Sequence, residues 1–421
     1  MSRFASLALP LVLAATAASA YAQSAPELDG PYPAGFRTLS VPGIAGGNAT
    51  VALRVHYPAR QAGTNAPFDL AAAPCPLVVF GHGFSLQVSI YDSLLRHLAT
   101  HGWIAVGVAT EEALLTGNLP RYVEDLRAAV LGLRALGADP QSPLAGAVAS
   151  NARAAAMGHS FGGAASLVAA SGRSDLFDAV IPLAATLTSP QGVDIQAATA
   201  ALAMPSLHVG ASQDTIVPPS ANLDPLYALA PAPKRLIELR GGVHSYFHEA
   251  WAVDRLLEPP GSISVAEQQR LQRRYGHAFL RVVQRGDARY LDFLLGPTAL
   301  ADGALSRQSA LWSRSELFAT GSGAIGSTLS FHPLGASGES ALLLVAAFEA
   351  SIATPFGTLR VDPLSTVTLG PVGIASSSFG TLGVAIPNDP FFQGLVVPTQ
   401  ALRALTGGGL ELSNLWRVRV L

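Results

Sequence analysis

Arg37-Thr38-Leu39-Ser40-Val41 and Val51-Ala52-Leu53-Arg54-Val55-His56-Tyr57 place apolar residues at every second position. That is the period of a strand with one buried face, and it predicts an early antiparallel pair. From Pro76 onward the pattern changes to short apolar runs without alternation. These are Pro76-Leu77-Val78-Val79-Phe80, Ile104-Ala105-Val106-Gly107-Val108, residues 153–157, 179–183, Ser206-Leu207-His208-Val209 and 235–239. Such runs suit strands buried on both faces. Between and after them a helical period appears over residues 90–100, 121–136, 265–283 and 288–295. Strands alternating with helices predict an α/β fold, a doubly wound, mostly parallel sheet with helices on both sides. Only about twenty residues separate Ala184 from Pro205, too few for a separate cap domain, so the cleft at the strand ends is expected to be open.

The pattern changes again near residue 296. Residues 297–326 are rich in Gly, Ala and Ser without periodicity and read as a linker. Beyond it, seven strand-like runs (328–330, 341–348, 357–361, 366–369, 380–386, 395–405 and 409–420) are punctuated by Gly, Pro and Asn-Asp. They predict a small all-β sandwich over 327–421. At the other end, Met1-Ser2-Arg3, an apolar run over 4–18 and the small-x-small site Ala20-Tyr21-Ala22 predict a cleaved signal peptide, residues 1–22. The apolar run is short for a membrane span, so the expected product is exported, extracellular or periplasmic. The catalytic candidates then fall within 23–296.

Composition narrows the function classes. The 421 residues fit two domains, and 49% hydrophobic against 13% charged residues excludes a disordered chain. A net charge of −2 with no basic block offers nothing for a nucleic-acid partner. Cys75 is the only cysteine, which excludes an intrachain disulfide and assigns it to a core.

The chemistry centres on Gly158-His159-Ser160-Phe161-Gly162-Gly163, which lies between a strand run and a helix run. A serine on such a turn is held in a strained conformation with its hydroxyl projecting from the sheet. The hydroxyl needs a base, and the base an orienting acid. In a doubly wound hydrolase these follow in the order acid, then histidine, each on the loop after a late strand. Asp214 follows the run ending at Val209, and His244 follows the run ending at Leu239. The rival acids are Asp175, Asp178, Asp194, Asp224 and Glu238; the rival bases are His248 and His277. His244, His248 and Glu249 lack the glutamate placement of a zinc peptidase, so neither metal nor cofactor is expected. For the oxyanion, the backbone N–H of Phe161 is expected as one donor and that of Phe84 as the other, with Ser85 as its rival. His82 is expected to hold its own loop in shape. Phe84, His159, Tyr246 and Phe247 are the candidate substrate-binding residues.

Five segments together carry a resemblance. They are Val78-Val79-Phe80-Gly81-His82-Gly83-Phe84, Leu98-Ala99-Thr100-His101-Gly102-Trp103-Ile104-Ala105-Val106, the stretch around Ser160, Gln213-Asp214-Thr215-Ile216-Val217-Pro218, and Gly241-Gly242-Val243-His244-Ser245. With them the chain resembles the α/β-hydrolase superfamily, and within it the chlorophyllase-like and the cutinase-like or polyester-hydrolase-like serine esterases. The resemblance implies hydrolysis of small or polymeric carboxylic esters through an acyl-enzyme. In bacterial polyester hydrolases a tryptophan usually follows the strand matching residues 180–183; here the loop is Ala184-Ala185-Thr186-Leu187. That departure, with the missing C-terminal cysteine pair, favours a general carboxylic ester hydrolase. A peptidase or acyltransferase with the same triad, and a surface-binding protein using the fold as scaffold, are the alternatives. The sandwich looks like modules appended to secreted bacterial enzymes and is expected to contact a surface or polymer.

Overall fold

The computed structural model describes residues 25–188, 191–249 and 252–421. The expected signal peptide lies outside the described residues. The alternating stretches pair as their period requires: β1 (Ala34–Pro42) runs antiparallel to β2 (Thr50–Pro58), with a short β3 (Gly63–Thr64) at the edge. Then follow β4 (Leu77–Gly81), α1 (Asp92–Thr100), β5 (Ile104–Val108), α2 (Leu119–Ala138), β6 (Ala154–His159) and α3 (Phe161–Ala170). The series continues with β7 (Phe177–Leu183), α4 (Ile195–Ala200), β8 (Ser206–Ala211), α5 (Leu223–Leu229), β9 (Lys234–Leu239), α6 (Val265–Arg285) and β10 (Leu305–Leu311).

The strands form one sheet in the order β10-β9-β8-β7-β6-β4-β5-β2-β1-β3. From β5 across to β9 every neighbour is parallel; β2 and β10 join antiparallel. Successive side chains of one strand point to opposite faces, and here both faces are covered. Leu77 and Val79 of β4 pack with Leu126, Val130 and Leu167 of α2 and α3. Val78 and Phe80 of the same strand pack with Leu95 of α1 and Phe279 of α6. This double burial is why the runs show no alternation. Among the described residues between β7 and β8 the one helix is the short α4, and none of them forms a cap domain over that edge of the sheet.

The expected linker over 297–326 is not one. It carries β10, which pairs with β9, and β11 (Leu317–Thr320). Trp312 between them is fully buried, its ring edge-on to Phe279 at 6.4 Å. β10 is an edge strand in which only Leu305 is buried and half-buried and exposed residues alternate after it, so its identity comes from pairing rather than from local apolar content.

The remaining strands are β12 (Thr328–Pro333), β13 (Ser340–Val345), β14 (Glu349–Thr354), β15 (Gly357–Val361), β16 (Val367–Gly373), β17 (Leu382–Ala385), β18 (Val396–Ala404), β19 (Leu410–Leu412) and β20 (Trp416–Arg419). One antiparallel sheet runs β11-β12-β17; a second runs β16-β13-β18-β19, with β20 also on β18. Leu317, Leu329 and Phe331 of the first share an apolar cluster with Leu343, Ala401 and Val418 of the second, the packing of a sandwich. β14 forms a hairpin with β15 and lacks an apolar face because most of it is exposed. The sandwich does not hang free: Phe318, Leu334 and Phe379 belong to the same buried cluster as Phe279 and Leu294. Among the described residues no helix is long and apolar enough to cross a membrane.

Candidate active site

The site lies where the parallel strands end. β6 runs into Ser160, which has φ 55° and ψ −116°, and α3 starts at the next residue. This positive φ on a residue with a side chain is strained and persists only where its surroundings fix it. Here the Ser160 N–H donates to Leu183 O at 2.9 Å and its carbonyl accepts from Ala164 N at 3.0 Å. The turn must also be thin, since a Cβ on Gly158 would lie 2.3 Å from the oxygen of Gly162. Phe161 opens α3, so its N–H belongs to the first helical turn, which has no acceptor within the helix.

The loop of the candidate acid follows β8. Asp214 is only 4% exposed; its Oδ1 accepts the N–H groups of Ile216 and Val217, at 3.0 and 2.6 Å. That fixes Oδ2, which lies 2.8 Å from His244 Nδ1. Beside a carboxylate oxygen, Nδ1 is the donor, and Nε2 is left as the acceptor of a proton. His244 is 3% exposed and Ser160 is partly exposed. The His244 ring lies 4.4 Å, centroid to centroid, from that of His159, the residue before Ser160. Among the described residues no hydrogen bond joins Ser160 Oγ to His244, and such bonds are often long or poorly aligned before substrate binds.

α6 and the chain leading into it hold the loop that carries His244. Glu258 is buried and accepts from His244 N at 3.1 Å and Ser245 N at 2.6 Å, one carboxylate oxygen each. Gln268 pairs with both the N–H and the C=O of Val243, and Gln269 donates to Tyr246 O at 2.6 Å. No spacing or motif marks Glu258 in the sequence.

The loop after β4 closes the other side. Leu86 N donates to Gly83 O at 3.1 Å, with Ser85 at φ 58°, a turn whose internal bond leaves the Phe84 N–H outside it. Ser85 uses its hydroxyl to accept from Leu115 N at 2.8 Å. His82 is buried, its ring nitrogens 2.9 Å from Gly83 O and 2.7 Å from Thr110 O. Phe84 is 40% exposed and meets the Phe161 ring edge-on at 5.8 Å.

Two expected substrate contacts need correction. His159 and Phe247 are fully buried. A hydrogen bond of 2.8 Å joins His159 Nδ1 to the Tyr91 hydroxyl, which also receives Gly83 N–H at 3.2 Å. His159 therefore ties the turn at Ser160 to the β4 loop rather than lining the cleft. Burial, reinforced by His244 and His248, holds its pKa well below the usual histidine range. Phe247 packs on the His159 ring at 5.4 Å. Phe84 is exposed, and Tyr246 is half-buried with the Arg255 guanidinium over its ring at 5.5 Å.

The rival residues have other partners. Asp175 pairs with Arg173, Asp178 accepts from Gln284, Asp194 caps α4, and Asp224 and Glu238 both engage Arg307. His248 Nε2 lies 2.8 Å from Asp254. His277 sits in a buried group with His97 and His101. His97 and His277 both face Pro26 O, at 3.0 and 2.8 Å, and His101 faces Leu28 O at 2.7 Å, so these rings clasp the backbone of the N-terminal segment.

The doubly wound sheet with its sharp turn at Ser160 defines the class, an α/β-hydrolase. Residues 20–310 match the family model described as PETase, PET hydrolase-like, and the chain belongs to that family. At this level it is an ester hydrolase. No curated protein matches the chain. Ala184-Ala185-Thr186-Leu187, without an aromatic residue, does not take it out of the family; Ala184 and Ala185 are buried, and Leu187 N donates to Asn222 at 2.9 Å.

Proposed function

We propose that the chain is an exported serine hydrolase that cleaves carboxylic esters through an acyl-enzyme. The observation that carries this reading is the buried Asp214–His244 pair at 2.8 Å, set beside a strained Ser160 in a chain of the PET hydrolase-like family. Ser160 Oγ attacks the ester carbonyl as His244 Nε2 takes its proton, and Asp214 stabilises the imidazolium that forms. The N–H groups of Phe161 and Phe84 receive the negative oxygen. As the tetrahedral adduct collapses, the C–O bond to the alcohol breaks and His244 returns the proton to the leaving oxygen. Water then attacks the acyl-enzyme with His244 again as base, releasing the acid and restoring Ser160.

Phe84 offers an exposed ring beside Phe161, which suits esters with apolar acyl or aryl groups, free or as units of a polymer. Assays on nitrophenyl esters, an aromatic polyester film and peptide anilides test the reading. Turnover of the esters with none of the anilides is expected, and Ser160→Ala lowers it on the order of 10⁴-fold. Faster anilide than ester cleavage, or an active Ser160→Ala chain, contradicts it.

A further inference from the structure

We propose that the β-sandwich holds a second, non-catalytic pocket for the acyl or aryl group of an ester. Between its two sheets lies a cavity of about 190 Å³, open to solvent and lined by Leu329, Phe331, Val384, Ile386, Phe392 and Val418 among others. Sandwich cores normally interdigitate to leave few voids larger than a water molecule. Its wall offers water few polar partners, and apolar spaces of about 150 Å³ take up benzene-sized molecules. No charged side chain lines the cavity, which disfavours phosphates, and its nearly wholly aliphatic and aromatic wall disfavours sugars. One phenyl ring or one short acyl chain fits.

The lip supports the same ligand. Phe391 is 77% exposed and stands edge-on to the lining Phe392 at 5.5 Å. Its exposure is built into the loop: Asp389 Oδ1 accepts from Phe391 N at 2.9 Å, Pro390 opens the turn, and Gly394 at φ 83° sends the chain back. Leu395 and Val396 beside it are exposed as well. The choice of ligand rests on the proposed ester hydrolysis, since an ester of this kind is what the catalytic cleft meets. On a polyester, repeated units would let sandwich and cleft hold one chain, raising the effective concentration of ester at Ser160.

The test is a methyl-resolved NMR titration of the full Ser160→Ala chain with methyl benzoate and methyl hexanoate. The methyl groups of Leu329, Val384, Ile386 and Val418 are expected to shift saturably. Val384→Phe, which fills the cavity, should abolish the shifts. Phe391→Ala, whose exposed ring supports no core, should weaken binding at least threefold and serves should Val384→Phe fail to fold. Cavity methyl groups that stay still, or affinity unchanged in the Phe391→Ala chain, overturns the pocket. Failure of the hydrolase reading is separately visible: a Ser160 chain that binds both esters in the sandwich and hydrolyses no ester loses the proposed reaction and keeps the pocket.

Discussion

A methyl group added to Gly162 would lie 2.1 Å from the carbonyl oxygen of Gly81 and 2.6 Å from that of His82. Both contacts are with backbone, so no side chain can swing aside to relieve them. Gly162→Ala should therefore lower stability by about 3 kcal/mol, read as a shift in the urea midpoint; an unchanged midpoint would contradict the close approach of α3 to the β4 loop. Single residues also mark what a sequence can and cannot tell. Ser160, Asp214 and His244 each stand near the end of an apolar run, so a strand series alone brings them to one edge of the sheet. Glu258 holds the His244 loop from fourteen residues away, a path set by tertiary packing with no period to betray it. Their neighbours in the chain suggest that His159 and Phe247 line the cleft. Adjacency does not say which side of the backbone a ring takes, and both rings turn inward.

Among the elements, α6 does two jobs that its composition only half announces. Its apolar side, with Leu271, Tyr275 and Phe279, is buried under the sheet, and its Gln268 and Gln269 grip the loop that carries His244. The long helices and the doubly buried strands were legible because burial on a fixed period leaves a strong trace. β10 left a weak one, since only Leu305 of the strand is fully covered. Yet it completes the large sheet, donating its edge to β9, with Trp312 and Phe318 packed just beyond it. A chain ending at residue 304 would expose the edge of β9, an invitation to pair with other chains. It should aggregate or melt well below the full chain in a light-scattering thermal scan; a soluble, equally stable fragment would show that β10 is dispensable.

Across the molecule, burial holds six histidines below their usual range. His97 is pushed down to about 4 and His208 to about 3, and His101, His159, His277 and His332 are lowered too, in each case chiefly because burial penalises the imidazolium. An unfolded histidine titrates near 6.5. Between about 6.5 and about 4 the unfolded chain therefore binds protons that the folded one refuses, and stability falls as pH is lowered through that window. Circular dichroism melts should show Tm declining steadily from about pH 7 to about pH 4; a flat or rising Tm would contradict the burial of these rings. The two regions share one apolar cluster through Phe318, Leu334 and Phe379, so the acid effect should reach the catalytic site along with the sandwich. The proposed reactivity of Ser160 depends on the folded arrangement rather than on any one residue. The most direct measurement is fluorophosphonate labelling of the intact protein followed by peptide mass mapping. A single adduct on Ser160, lost on denaturation and in His244→Ala, is the predicted result; no adduct on the folded chain, or one on a different serine, would contradict it.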